Sequence, residues 1–193
     1  MVWVRSAAIR PIVPQARLDA DVLGEVEAFL AEDEDQTESR LSETFKAFEL
    51  AQPHLSAYIG NRLTRTHDEV AMALGYFLTL ALWMAFDRAH GDDLGLIDDV
   101  ALQSVEEALA LDEELRGQDP TDGIESDDVV AMEQPDAIQF VQEHIDAALD
   151  VNAGEADVDQ VHRVYRLVIV EVLALSYAVK SPGTTVPSHE IHA

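Results

Sequence analysis

The sequence predicts an all-α fold: a single-domain helical bundle of about six to seven helices. Three observations carry that prediction. Residues 70–86, VAMALGYFLTLALWMAF, contain no charged side chain, and only Gly75 and Thr79 are not apolar. The run shows no apolar–polar alternation and far exceeds the 4–8 residues of a typical strand, roughly, so it reads as helix. Several other stretches repeat apolar residues at i, i+3, i+4 and i+7, the spacing of one helix face.

An uncharged helix of this length spans roughly 25 Å, near the thickness of a bilayer core. A membrane span is disfavoured because the run falls short of about 20 apolar residues and flanking cations are sparse. The expectation is a central core helix covered on all sides, or one half in the core and half in a dimer interface.

The 193-residue chain holds 38 acidic and 12 basic residues, a net charge of −26, yet 48% of it is hydrophobic. That is too apolar for a disordered chain. The charge argues against nucleic acid or an anionic membrane as partner, since both are bound by clustered Lys and Arg. It suits a basic protein partner, a divalent cation, or solubility alone. Only Lys46 and Lys180 are lysines, a bias that a saline habitat or a GC-rich genome explains without any ligand. Cysteine is absent, which excludes disulfides, thiolate metal sites and a cysteine nucleophile. The opening MVWVRSAAIRPIVP lacks the apolar region of a secretory signal, so a cytoplasmic location is expected.

Residues 1–17 carry Arg5, Arg10 and Arg17 as their only charges, and Pro11 and Pro14 forbid a regular helix. They read as an extended basic arm, lying on the chain's own surface, reaching a neighbouring subunit, or disordered. The helical domain is placed at 18–180. Asp19 or Asp21 caps a first helix with Val22, Leu23, Val26, Phe29 and Leu30 on its apolar face. It runs into the carboxylates of 32–35, poorly placed at a helix C-terminus. A second helix follows Thr37 or Ser39, with Leu41, Phe45, Phe48 and Leu50. Pro53 opens a third, with Leu55, Tyr58, Ile59 and Leu63, and the uncharged helix comes next. A helix near 98–115 uses Val100, Leu102, Val105, Leu109 and Leu111. Residues 117–128, with one Pro, two Gly, four Asp and one Glu, read as an acidic loop. Gln134-Pro135 precedes a helix with Ile138, Phe140, Val141, Ile145 and Leu149. The last helix, 157–180, stops before Pro182 and leaves a tail at 181–193.

Gln52-Pro53 recurs as Gln134-Pro135, each ahead of an amphipathic and then a long apolar helix. QPHLSAYI aligns with QPDAIQFV at an offset of 82 (134 − 52), placing Tyr58 on Phe140. At an offset of 91, Val70 falls on Val161 and Phe86 on Tyr177. These correspondences suggest two three-helix repeats, 36–90 and 98–180, about a pseudo-twofold axis. A single irregular bundle is the alternative, since amphipathic helices resemble one another.

No phosphate loop, His-Glu-x-x-His or nucleophile elbow is present. The nearest approach to a metal-binding bundle is Asp87-x-x-His90 with Asp159-x-x-His162, each pair sharing one helix face. The four meet only if the two long helices run antiparallel; helix capping and a solvated face explain each pair more simply. His67-Asp68-Glu69 suits a helix N-terminus. Glu143-His144 reads as exposed, and His189-Glu190-x-His192 lies on the tail. Glu171 interrupts the apolar run 167–175. If buried it is the leading ligand-binding candidate, with Arg62, Arg65 or Arg163 as partner. The favoured placement is a wetter side of the helix, near Arg163 and Arg166. Tyr58, Tyr76, Trp83, Phe86, Tyr165 and Tyr177 read as core, with an apolar pocket as the minority alternative.

The sequence therefore leads to a non-enzymatic acidic module for protein interaction or regulation, homodimeric, with a basic protein as partner and no predicted cofactor. The alternative is a metal-dependent bundle enzyme at Asp87, His90, Asp159 and His162.

Overall fold

A computed structural model describes residues 8–31, 37–118 and 124–180. The Glu32–Asp35 carboxylates, Arg5 and the tail histidines lie outside them. The chain is all-α, with eight α-helices among the described residues: α1 (Ala20–Ala31), α2 (Thr37–Ala51), α3 (Pro53–Leu63), α4 (Glu69–His90), α5 (Asp99–Gly117), α6 (Ser126–Glu133), α7 (Pro135–Val151) and α8 (Val158–Ala178). The expected count of six to seven helices falls short because α6 lies partly where an acidic loop was expected. Of the stretch 117–128, residue 117 ends α5, residues 126–128 begin α6, and 119–123 lie outside the described residues.

The centre of the molecule is a pair of helices, α4 and α8. Eleven of the 22 residues of α4 and twelve of the 21 of α8 are buried. By length and composition α4 alone, among the described residues, matches a membrane span, although 61% of its most apolar window is covered by the protein. Asp68 caps α4, its carboxylate accepting from the Ala71 N–H at 2.6 Å. Asp157 caps α8 through the Asp159 and Gln160 N–H groups. The two caps touch: the Asp157 N–H donates to Asp68 Oδ2 at 3.0 Å. At the far end Gly95 N–H bonds Ala178 O and Lys180 N–H bonds Asp93 O, both at 2.9 Å. With both ends matched, α4 and α8 run parallel. Gly75 permits close approach along their length, because a Cβ there would lie 2.5 Å from Leu63 Cδ2 and 3.1 Å from Val164 Cγ1.

The other helices wrap this pair with the apolar faces their periodicity marks, with exceptions. Leu23, Val26, Leu30 and Phe48 are buried as expected, but Leu50, Val100 and Leu111 face outward, at 86%, 75% and 49% exposure. On α5 the inward position beside Leu111 belongs to Asp112, which is 1% exposed. Its Oδ2 accepts from Arg116 Nε at 2.6 Å and Ser126 Oγ at 2.7 Å, and its Oδ1 from the Ala8 N–H at 2.9 Å.

Within 8–17, Ile9, Ile12 and Ala16 are buried and Pro14 opens a 3-10 turn. The Ile12 N–H bonds Glu133 at 2.9 Å, and the Arg10 guanidinium stacks 4.3 Å from the Tyr177 ring centre. This segment is laid against the chain's own body.

Two buried glutamines fasten the extended segments. Gln52 donates to Gly95 O and accepts from the Ile97 N–H, both at 3.0 Å. Gln134 donates to Ala16 O at 2.7 Å and to Ser176 Oγ at 2.8 Å, and accepts from the Leu18 N–H at 3.0 Å. Each precedes a proline at the start of a helix, so its backbone sits outside helical geometry while its amide turns inward.

Candidate functional site

The N-terminal half of α8 is flanked by open clefts. Val161, Val164, Leu167 and Val168 face the core. His162, Tyr165 and Arg166 project from between them towards α5, α6 and α7, and Gln160 and Arg163 towards α3.

On the first side lie two adjoining clefts of about 420 and 510 Å³ that share Glu125, Asp127, His162 and Tyr165. The first extends to Glu113, Arg116 and Arg166. Both of its arginines are engaged, Arg116 with Asp112 and Arg166 with Glu113. The second is floored by Ile145, Leu149 and Val161. Asp128 is drawn away from the cleft by the start of α6, where its carboxylate accepts from the Glu125 N–H at 2.8 Å. Asp127 stays in it. Burial raises the Asp127 carboxyl above its ordinary range; His162 pulls it down, and the neighbouring Glu125 and Asp128 push it further up. The Tyr165 hydroxyl is likewise raised, by burial first and then by Asp127. The site is thus a carboxylate-rich, partly apolar groove with one aromatic wall and a carboxyl short of positive charge.

On the other side Arg62, Arg65 and Arg163 surround a third cleft of about 280 Å³ between α3 and α8.

The residues singled out by the sequence do not assemble as one centre. Because α4 and α8 are parallel, Asp87 and His90 lie at one end of the pair and Asp159 and His162 at the other, roughly 25 Å apart at 1.5 Å per residue. The antiparallel arrangement required for a four-ligand site is absent. Among the described residues no three His, Asp or Glu side chains are grouped to hold a metal ion. His90 packs its ring 5.7 Å from Phe86, and its buried Nε2 has no partner. Burial lowers its pKa, with Asp93 acting the other way. His144, expected to be exposed, is half-buried: its ring lies 4.2 Å from Phe140, and Nε2 is 3.3 Å from Glu27.

Glu171 is fully buried, which corrects the favoured placement on a wetter side of α8. None of its three candidate arginine partners reaches it, since all line the third cleft, Arg163 about two turns back along α8 and Arg62 and Arg65 at the end of α3. The Thr79 hydroxyl stands beside it, close enough to favour the charged form but outside hydrogen-bond geometry. Neither Glu171 oxygen nor Thr79 Oγ1 has a partner. Burial dominates and holds the carboxyl well above 4.5. Glu171 lines none of the three clefts.

Asp127 and Asp112 are not singled out by the sequence, and Tyr165, read there as core with a pocket as the minority alternative, lines both clefts. A signal existed for the first: Glu125-x-x-Asp128 has the spacing of a helix capping box, which turns Asp127 out of the loop and into a first turn.

No family model matches the chain, and neither does any curated protein or solved structure.

Proposed function

We propose that the chain is a non-enzymatic interaction module that receives a cationic side chain of a basic partner protein in the groove beside Asp127 and Tyr165. One observation carries this proposal: Asp127 is a partly desolvated carboxyl with two acidic neighbours and, among the described residues, only His162 acting the other way. An incoming Lys or Arg head would relieve that imbalance, stack on Tyr165 and lay its aliphatic stem on Ile145 and Leu149. The net charge of −26 favours encounter with such a partner. Homodimerisation belongs to the same proposal, supported by Leu50 and Leu96, both exposed where Gln52 clasps 95–97.

The test is calorimetric titration with an arginine-rich peptide as probe. Binding should weaken steeply with added salt and fall about tenfold in Asp127→Asn. Glu49→Gln, an exposed change of the same charge, should retain it. Equal losses in the two variants would reduce the interaction to bulk charge and reject the groove.

The fold is proposed to be a duplication of one four-helix unit, α1–α4 and α5–α8. The packing pattern supports it: α1 lies on α4 as α5 lies on α8, α2 on α3 as α6 on α7, and α1 on α7 as α5 on α3. The clasps support it too, each glutamine of one unit holding the segment that leads into the first helix of the other. The units then begin before α1 and before α5, earlier than 36 and 98. The caps Asp68 and Asp157 give an offset of 89 (157 − 68) for the long helices, two short of the 91 read from apolar residues.

A further inference from the structure

We infer that the cleft between α3 and α8 is a binding site for a small oxyanion, a phosphate or carboxylate group, held by Arg62, Arg65 and Arg163.

Twelve basic residues are spread through a chain with 38 acidic ones, yet three of them gather around this one cavity of about 280 Å³. Arg62 is fixed in place. Its Nη2 bonds Glu106 at 2.8 Å, and its guanidinium lies 3.5 Å from the Tyr58 ring centre. Arg65 and Arg163 are different: neither side chain makes an ion pair, hydrogen bond or ring contact with a described residue. With acidic residues outnumbering basic ones threefold, two like charges left together without a carboxylate call for another source of negative charge.

Helix electrostatics does not supply it. Arg62 and Arg65 sit at the C-terminal end of α3, where a cation is favoured. Arg163 lies in the second turn of α8, near the positive end, where a cation gains nothing from the dipole. What the three share is the cavity. Its remaining lining fits a polar head with a short apolar body: Thr66 and Gln160 offer hydrogen bonds, and Val164 and Leu167 form an apolar wall.

Guanidinium forks match planar carboxylates and tetrahedral phosphates, so both groups suit the site. The volume is at the low end for a ligand pocket. The ligand is a small molecule and not a polyanion, because a net charge of −26 repels nucleic acid and anionic membranes at long range. A compact anion with one or two charges meets far less of that repulsion.

The test is isothermal titration of the full chain at low ionic strength, with inorganic phosphate and, separately, citrate as probes. At least one should give a saturable heat at one site per chain; phosphate alone or citrate alone identifies the group. The double variant Arg65→Gln/Arg163→Gln should bind about tenfold or more weakly. Arg88→Gln, which removes one charge far along the fold, should bind as the parent does. Both cleft arginines are exposed, so unchanged circular dichroism is expected, with each single variant as a second reading. No saturable heat from either probe, or equal losses in the double variant and Arg88→Gln, would overturn the site.

Discussion

Gln52 and Gln134, 82 positions apart, share one backbone conformation, φ −136° and ψ 65° against φ −132° and ψ 65°. Each uses its carboxamide to bond a carbonyl and the N–H two residues further on: Gly95 and Ile97 for the first, Ala16 and Leu18 for the second. The amide presents one donor and one acceptor side by side, which is what an extended backbone offers in return. Gln134 bonds Ser176 as well. Gln134→Ala should therefore cost about 2–4 kcal/mol, and Gln52→Ala somewhat less, by leaving buried backbone groups unpaired. Urea denaturation of the two variants checks the order; equal midpoints to the parent would mean water replaces the amide at no cost.

Asp112 gathers Ala8, Arg116 and Ser126 around one carboxylate. Burial disfavours its charge, but the bonds from Arg116, Ser126 and the Ala8 N–H outweigh that and hold the carboxyl below 3.8. A depressed folded pKa contributes stability above 3.8 that is lost as pH falls through the folded value. Asp112→Ala should destabilise by about 3 kcal/mol or more at neutral pH. Asp112→Asn should flatten the acid limb of a melting-temperature profile. An acid limb identical to the parent's would assign acid sensitivity to other carboxylates.

Glu171 behaves with the opposite sign. Its folded pKa is raised, so its contribution is fully present below 4.5 and is lost as pH rises through the folded value. Glu171→Gln keeps the shape and removes the ionisation. The variant should melt above the parent at about pH 8, and the gap should close towards acid pH. A gap that is constant with pH would mean that Glu171 does not titrate differently on folding.

Gly75 and Gly60 make a matched pair of glycine-to-alanine tests within helices. At Gly75 the new methyl meets Leu63 and Val164, so Gly75→Ala should cost about 1–3 kcal/mol by overpacking α3, α4 and α8. At Gly60 nothing lies within 4 Å, so Gly60→Ala should gain about 0.5–1 kcal/mol from helix propensity. Thermal melts of the two variants should move in opposite directions.

The helices were legible because their signals are local. Spacing of apolar residues marks α1, α3, α7 and α8, and aspartates mark where α4 and α8 begin. α6 was missed for a local reason: SDDVVAME places its apolar residues next to one another, not at helical intervals, behind a run rich in Asp, Gly and Pro. Leu50, Val100 and Leu111 show the limit of periodicity: a face one residue too wide still fits the pattern, and only the neighbouring helix decides where its edge falls.

The sequence by itself determined the helical class, the charge, and α4 as a helix needing cover over much of its surface. These follow from hydrogen bonding and transfer free energies that act within a few residues. Tertiary structure alone decided that α4 and α8 run parallel, which separates Asp87 and His90 from Asp159 and His162. It also decided that Glu171 is buried without an arginine, and that Asp127 meets His162 and Tyr165 across one groove. Helical periodicity specifies which face turns inward; it carries no information on which helix covers that face or in which direction that helix runs.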